Sequence, residues 1–469
     1  MYSRVMLRFS STSAASPVSR SRGALIALCL AFFVVLFDGS ALNLALPSIA
    51  EDIGGSIASL QWVVTAYTIP LAALLLTAGH VGDRFGRSRL FVWSLVAFAL
   101  LSLACGLAPG IGWLVAARIV QGVAGAGVMP MILALIGAEF PDKAARARAI
   151  NTLAAVGASA AVLGPFVGGV LAQLLDWRLI FFVNVPLAAA TAVLARRHLQ
   201  VSAMGESKPL DVRGQLLAVG ALTVLVAGLI TLGQGSALVA IAMVTAGAFL
   251  AVAFVLVERG AAHPLLPVAV FRNRVFRTGV LGGFAFQFGA YGLPFMLALF
   301  LVRDWGATPI IAAVILLPFS LAMIGTTLFL NPFLLRNGRD WMMTAGTAIA
   351  AAGAVVAAFS NQSTTLPVLA VGLVMMGAGN GIYSPTLNEL ATTSIAPELA
   401  GLGSGIYNTS RQVGMAFGVG LLGTLIAGRD PVLGLRLGLV LMGAGYLGLL
   451  VLARLTASRP TEVTSRSPR

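Results

Sequence analysis

Residues 24–46 read ALIALCLAFFVVLFDGSALNLAL, an apolar stretch that contains one ionisable side chain, Asp38. An α-helix needs roughly 20 apolar residues to cross the hydrocarbon core of a bilayer, so this stretch has the length of a membrane span. Similar stretches recur along the whole chain. They predict fourteen spans, near residues 24–46, 59–79, 88–108, 112–136, 147–173, 179–196, 214–232, 237–257, 277–302, 308–334, 341–359, 366–388, 400–427 and 433–453.

The composition also indicates a protein that is dissolved in lipid. Apolar residues make up 58% of the 469 residues and charged residues 10%, and the mean hydropathy is +0.95. These values lie outside the range of soluble domains. Only helices and closed β-barrels satisfy their backbone hydrogen bonds in a bilayer, and apolar runs this long exclude a barrel. We therefore expect an all-α membrane protein.

The distribution of Lys and Arg predicts the orientation. An even number of spans places both termini on one side, and cytoplasmic loops carry an excess of basic residues. Alternate loops and both ends of the chain are rich in Lys and Arg, which we assign to the cytoplasmic side of a bacterial inner membrane. The net charge of +14 follows from this topology and requires no nucleic-acid partner. The loops on the opposite side hold Arg178, Arg303, Arg429 and Arg436.

Two hydrophilic links, 200–213 and 258–277, bracket the spans near 214–232 and 237–257. They predict a helix pair inserted between two six-helix halves, with a substrate path between the halves. The expected organisation is a cytoplasmic tail at 1–23, in which Met1 or Met6 starts the chain, a first bundle at 24–198, links and inserted spans at 199–275, a second bundle at 276–455 and a second tail at 456–469.

The loop between the second and third spans, residues 79–90, reads GHVGDRFGRSRL. Its glycines permit a tight turn, and its acid and arginines can bridge neighbouring helix ends. We interpret it as a latch that favours one orientation of the two halves. The alternative is a basic anchor at the membrane surface, which explains the arginines but not the acid. The candidate latch residues are Gly79, Asp83, Arg84, Gly86 and Arg87.

The fifth span contains GASAAVLGPFVGG at residues 157–169. Small residues at helical spacing form a narrow face that another helix can approach closely, and a proline bends the helix. Packing alone would explain this pattern. The residues concerned are Gly157, Gly164, Pro165, Gly168 and Gly169.

Asp38 and Arg118 are ionisable side chains inside predicted spans, where a charge needs a partner or a task. A carboxyl group that alternates between neutral and ionised forms can bind either a proton or a cationic substrate, so we predict a coupling role for Asp38. The alternative is a satisfied acid paired with a polar neighbour such as Asn43. Arg118 could instead be a structural cation, a role that we expect for Arg411. Glu389 lies at the end of its span and is interpreted as interfacial.

Several side chains are candidates for lining a substrate path. Four aromatic residues of the ninth span recur at helical spacing, and such a stripe suits flat, lipophilic or cationic compounds. Facing lipid or packing on a neighbouring helix are the alternatives. The aromatic residues are Phe284, Phe288, Tyr291 and Phe295, and the polar and aromatic candidates elsewhere are Asn43, Gln61, Trp62, Tyr67, Gln121 and Gln287.

Six segments together resemble the fourteen-helix drug/proton antiporters of the major facilitator superfamily. They are DGSALNLALP at 38–47, the loop at 79–90, RIVQGVAG at 118–125, the glycine segment at 157–169, WRLIFFVNVP at 177–186 and NTSRQVG at 408–414. The loop departs from the family pattern at Gly82 and Ser88. The resemblance implies two six-helix bundles plus two additional helices, a coupling role for Arg118 and a gating role for the bend at Pro165. It also implies proton-coupled export of hydrophobic or cationic compounds by alternating access.

Other classes of protein fit the sequence less well. The chain shows no cluster of His, Cys and carboxylate residues of the kind that catalysis requires, so we expect no catalytic residues, no metal and no cofactor. It also lacks a Gly-rich nucleotide loop with Lys, which argues against ATP-driven pumping. A proton-coupled carrier of a metabolite, such as an amino acid, sugar, siderophore or lipid, is the alternative function. The expected partners are protons, a small-molecule substrate and the bilayer, with the protein acting as a monomer.

Overall fold

The computed structural model describes residues 17–200, 211–261, 264–360, 365–396, 399–428 and 430–457. Long helices dominate these residues. Their bounds are α1 Pro17–Ile53, α2 Ile57–Phe85, α3 Arg87–Gly106, α4 Ile111–Glu139, α5 Lys143–Leu174, α6 Arg178–His198, α7 Val212–Leu232, α8 Ala237–Gly260, α9 Arg274–Leu299, α10 Pro309–Gly325, α11 Arg339–Ala358, α12 Thr365–Thr393, α13 Ala400–Ile426 and α14 Pro431–Ala457.

Among the described residues, thirteen helices are long and apolar enough to cross a membrane. The remaining long helix, α13, has 27 residues and carries polar side chains near its middle, Asn408 and Arg411 among them. α9 continues as a π-helical turn to Asp304, and α10 is followed by a π-helical turn and a short helix that ends at Leu334. The predicted all-α membrane fold is confirmed.

The helix contacts define two bundles and a pair. α1 contacts α4, α5 and α6, and α3 contacts α4 and α6. In the second half, α9 packs on α12 and α13, α11 packs on α12 and α14, and α10 packs on α12. α7 and α8 pack mainly on each other. The fold is therefore two six-helix bundles plus two additional helices, as predicted.

The two bundles meet mainly between α2 and α13 and between α5 and α10, with smaller contacts of α1 with α9 and α10. α7 contacts α2 in one bundle and α13 in the other. Its Gln215 donates to the Ala73 carbonyl oxygen of α2 at 3.0 Å, and its Leu229 carbonyl oxygen accepts from the Thr424 hydroxyl of α13 at 2.7 Å. The inserted helix is thus bonded to both halves, whereas α8 exposes large apolar side chains such as Leu238 and Phe249.

The ends of the chain fall mostly outside the described residues. α1 begins at Pro17, within the stretch 1–23 that the sequence analysis assigned to a tail. Residues 1–16, 201–210 and 458–469 are not described. α14 ends at Ala457, close to the predicted boundary at 455.

Glycines of α5 allow α1 to lie directly against it. A Cβ atom at Gly168 would collide with the backbone of Ala41, and one at Gly164 would collide with Ser40. The Ser40 hydroxyl then donates to the Ala160 carbonyl oxygen of α5 at 3.2 Å. The contact that α5 makes with the second bundle also depends on a glycine, because Gly169 lies against Pro309 at the start of α10.

Substitution of Gly168 by alanine tests this close approach. Its Cβ atom would meet backbone atoms, which cannot move aside as a flexible side chain can, so we expect destabilisation by about 1–3 kcal/mol. The control is Gly445→Ala in α14, where a Cβ atom meets nothing within 4 Å and alanine should raise helix stability by up to about 1 kcal/mol. Thermal unfolding midpoints in detergent compare the two variants. Equal midpoints would contradict the tight α1–α5 contact.

Candidate functional site

A cavity of about 1360 Å³ lies between the two bundles. It is lined by α1, α2, α4 and α5 from the first half and by α9, α10, α12 and α13 from the second. One end reaches Asp83 and Arg87, at the loop between α2 and α3. We name this end of the molecule, where the loops α2–α3 and α4–α5 lie, the basic end.

The cavity is closed at the opposite end by contacts between the halves. The Gln173 side chain of α5 accepts a hydrogen bond from the Ile310 amide of α10 at 2.9 Å. Gly169 packs against Pro309 beside it. Asp52 at the end of α1 accepts hydrogen bonds from Arg178 at 2.5 Å and from the Trp177 indole at 3.0 Å, which ties α1 to α6 at the same end. The structure therefore shows a state in which the cavity opens towards the basic end.

Asp38 and Arg118 form a buried ion pair. Arg118 Nη1 donates to Asp38 Oδ2 at 2.5 Å, and both side chains are 0% exposed. Asp38 Oδ1 accepts from Asn184 Nδ2 of α6 at 2.8 Å and from Gln121 Nε2 of α4 at 3.3 Å. Burying a charge pair costs desolvation free energy, which close geometry and further hydrogen bonds have to offset. This cluster joins α1, α4 and α6 through one carboxylate.

The arginine of this pair is held from several sides. Its Nε donates to the Val63 carbonyl oxygen of α2 at 3.2 Å, and Nη1 also donates to Gln121 Oε1 at 2.7 Å. The guanidinium carbon lies 4.2 Å from the centre of the Tyr67 ring and 5.8 Å from that of Phe181. The hydrogen-bond partners of Asp38 are therefore Arg118, Asn184 and Gln121. Asn43, which the sequence analysis suggested as a possible partner, is not among them.

Asp38 does not line the cavity in this state. A small space of about 30 Å³, lined by Gly39, Tyr67, Tyr291 and Arg411, lies beside the cavity. It has room for a water molecule. The Tyr67 hydroxyl is buried and has no hydrogen-bond partner among the described residues. Tyr67 thus stands between this space and the ion pair, with its ring against Arg118.

The candidate lining residues divide into two groups. Asn43, Gln287 and Tyr291 line the cavity. Gln61 donates instead to the Val419 and Gly420 carbonyl oxygens of α13. Trp62 packs against an apolar cluster formed by α2, α7 and α13. Gln121 lies in the ion-pair cluster, where its Nε2 donates to Ser102 at 2.8 Å.

The aromatic stripe of α9 faces α13 rather than the cavity, with the exception of Tyr291. Phe284 stacks on Phe288 at 6.2 Å between ring centres and meets Phe417 edge-on at 5.8 Å. Phe295 is fully buried. Glycines of α13 explain this contact, because Gly414 and Gly418 let its backbone approach the carbonyl oxygens of Phe284 and Phe288. The cavity face of α9 carries Phe286, Gln287, Ala290, Tyr291 and Pro294.

The residues of the α2–α3 loop lie at the mouth of the cavity. Asp83 pairs with Arg87 at 2.8 Å, with about half of each side chain exposed. Gly86 has φ of +96°, a conformation that favours glycine, and separates α2 from α3. Within the described residues no ion pair joins Asp83 to the second bundle. Gly79 also lines the cavity, as do Gly157 and Pro165 of α5.

Three further acid side chains at the basic end have defined partners. Glu389 pairs with Arg339, which links α12 to the start of α11. Asp211 caps α7 by accepting from the Gly214 amide, and Glu258 of α8 accepts from the Leu266 amide at 2.9 Å. Sequence reasoning missed Asp211 and Glu258 because both stand at span ends, where acids are common.

This fold and cavity define a multi-pass membrane transporter rather than an enzyme. Residues 28–419 match the model of the Major Facilitator Superfamily. The chain belongs to the Major Facilitator Superfamily. Its predicted membership is confirmed.

Named relatives and solved structures agree with this assignment. The chain is 34% identical to a puromycin resistance protein of Streptomyces alboniger over 89% of this chain and 84% of the relative. It is 34% identical to a cephamycin export protein of Amycolatopsis lactamdurans over 98% and 96%. A crystal structure of a POT family transporter shares the fold, with a TM-score of 0.69 and 13% identity over 92% of this chain and 95% of that one.

A double-mutant cycle tests the ion pair. Arg118→Gln alone leaves the buried Asp38 carboxylate without its cation, so we expect a loss of about 3–5 kcal/mol in stability. Asp38→Asn combined with Arg118→Gln removes both charges and should recover most of that loss. Thermal unfolding of the four proteins in detergent gives the interaction free energy between the two side chains. If the two single losses simply add in the double variant, the side chains do not interact.

Proposed function

We propose that the protein is a proton-coupled antiporter that exports lipophilic small molecules across a bacterial inner membrane by alternating access. The observation that carries the proposal is the buried Asp38–Arg118 pair, which joins three helices of one bundle beside a cavity between the bundles. The names of the relatives, which include a resistance protein and an export protein, support the direction of transport.

The size of the cavity supports a lipophilic substrate. Pockets for small ligands commonly enclose about 300–1,000 Å³, and this cavity encloses about 1360 Å³. Apolar side chains such as Phe32, Leu316 and Phe319 form much of its wall. An apolar wall of this kind suits a lipophilic compound better than an amino acid or a sugar, so we favour drug-like compounds over the metabolite alternative.

The basic loops support an orientation in which the basic end and both termini face the cytoplasm. In the state shown here, the cavity would then take up substrate from the cytoplasm, with the opposite end closed by α5 and α10. The cavity, the Asp38–Arg118 pair and the α2–α3 loop at the mouth of the cavity all belong to one chain. We infer that a monomer is sufficient for transport.

Proton binding would act on the conformation through Asp38. A protonated carboxyl carries no charge, so the attraction to Arg118 and the hydrogen bond from Asn184 would weaken. α1 would then be freer to shift relative to α4 and α6. Since α1 lies directly against α5, and α5 meets α10 of the other bundle, such a shift would reach the interface between the halves.

Substrate and proton would compete through this conformational change and not for one carboxylate. Asp38 lies behind Tyr67 in the state that is open to the basic end. A substrate in the cavity would therefore favour one orientation of the bundles, and a proton on Asp38 would favour the other. The membrane potential supplies about 2.3 kcal/mol per charge per 100 mV, enough for more than tenfold accumulation.

The α2–α3 loop would act as the latch in the opposite orientation. Asp83 and Arg87 now satisfy each other at the mouth of an open cavity. Closure of this end would bring the second bundle towards them and allow Asp83 or its neighbours Arg84 and Arg87 to bond across the interface. The bend at Pro165, which lines the cavity, would absorb part of the motion of α5.

Asp38→Asn tests the proposal. The amide resembles the protonated carboxyl but cannot release a proton, so we expect substrate-driven proton flux to disappear. The amide also leaves the buried Arg118 without its anion, so we expect a lower melting temperature as well. Proteoliposomes with an imposed pH gradient and an internal pH dye report the flux when lipophilic compounds that carry an amine, no charge or a carboxylate are added in turn. Asp304→Asn, which removes an exposed acid at the opposite end of the second bundle, is the matched control and should keep wild-type flux.

The outcome separates coupling from structure. Undiminished proton flux or full drug resistance in cells that carry Asp38→Asn would refute the coupling role. Flux is normalised to the amount of folded protein in the proteoliposomes, so that loss of flux in the variant is not confused with partial unfolding.

A further inference from the structure

Arg411 of α13 is a charged side chain in the wall of the cavity, near the middle of its helix. The other charged residues in that wall are Asp83, Arg87 and Asp211, which lie at the basic end. Asp83 and Arg87 form an ion pair with each other. Arg411 is therefore the charge that dominates the deep part of the cavity.

The partners of Arg411 are all neutral. Its Nε and Nη2 donate to Gln287 Oε1 of α9 at 3.2 and 3.1 Å. Its guanidinium carbon lies 5.6 Å from the centre of the Phe286 ring and 5.8 Å from that of Tyr407. Within the described part of the chain, no carboxylate lies within ion-pair distance of Arg411.

Arg118, the other arginine within a span, has an acid as its partner. It is fully buried and is paired with Asp38 at 2.5 Å. A cation in the membrane interior is costly unless it meets an anion or water. Arg411 meets this requirement by facing the cavity, where Tyr291 and Asn408 add further polar groups beside it.

We propose that Arg411 is an anion-binding subsite that receives the carboxylate, or a similar anionic group, of a lipophilic substrate. The planar guanidinium can bond two oxygens of a carboxylate at once, while Phe286 and Pro294 offer apolar surface to the rest of the molecule. The substrate class is thus a lipophilic acid or zwitterion rather than a simple cation. Its place in transport rests on the proposed function.

Binding to the purified full-length protein in lipid nanodiscs tests the subsite without any proton gradient. The probes are 1-pyrenebutyric acid and 1-pyrenebutanamide, which share the pyrene group and differ in charge. Probe fluorescence gives both dissociation constants. The wild type should bind the acid roughly tenfold more tightly than the amide, since a hydrogen-bonded charge contributes about 1.5–3 kcal/mol to an interaction.

Variants test whether Arg411 is the residue that makes the acid probe bind more tightly than the amide. Arg411→Gln should weaken binding of the acid by about 10- to 100-fold and leave binding of the amide unchanged, and Arg411→Lys should keep part of the preference. Arg303→Gln, which removes an exposed arginine at the opposite end of the same bundle, is the charge-matched control and should bind both probes as the wild type does.

The results are decisive in either direction. Equal wild-type affinity for the two probes, or equal weakening of both by Arg411→Gln, would overturn the subsite. If Arg411→Gln fails to fold, benzoate competition in the wild type decides: displacement of the acid probe but not of the amide supports an anion site, and displacement of neither contradicts it. Proton flux in proteoliposomes is a separate measurement. If the wild type binds the acid probe more tightly than the amide but shows no substrate-driven proton flux, the proposed function is refuted and the anion subsite is not.

Discussion

The ion pair between Asp38 and Arg118 is the constraint on which the first bundle depends. A lone charge in hydrocarbon is expensive, so two charged side chains persist there when each satisfies the other. The pair draws α1 to α4, and Asn184 extends the same contact to α6. A proton is the smallest ligand that can undo such a contact, because it removes one of the two charges without a change of shape. In the proposed mechanism, proton and substrate would therefore not have to bind the same group.

The two arginines within the spans lie in different surroundings. Arg118 is closed in by Asp38, Gln121 and Tyr67, and the cavity does not reach it. Arg411 bonds to Gln287 and faces the cavity. One half would thus hold the proton site and the other the anchor for the substrate. Contacts such as those between α2 and α13 and between α5 and α10 connect the halves, so each site can influence the other through the relative orientation of the bundles.

The sequence predicted the helices well because apolar length is a local property, and it picked out Asp38 and Arg118 because charges in apolar spans are conspicuous. It could not predict that they pair, since they are 80 residues apart, or that Asn184 joins them from 146 residues away. Helical periodicity placed Phe284, Phe288 and Phe295 together but not against a particular neighbour. The neighbour is set by glycines of α13 such as Gly414. Because these residues have no side chain, the backbone of α9 can approach α13 closely at Phe284.

The most direct test of the account is the pH dependence of the distance between the two bundles at the basic end. Spin labels on Ala144→Cys and Arg336→Cys, both exposed there, report this distance by double electron–electron resonance in a protein whose buried Cys29 and Cys105 are replaced by alanine. The account predicts that acidification shifts the distance distribution in the otherwise wild-type protein and leaves it unchanged when Asp38→Asn is added. A pH-dependent shift of the same size in the presence of Asp38→Asn would contradict it.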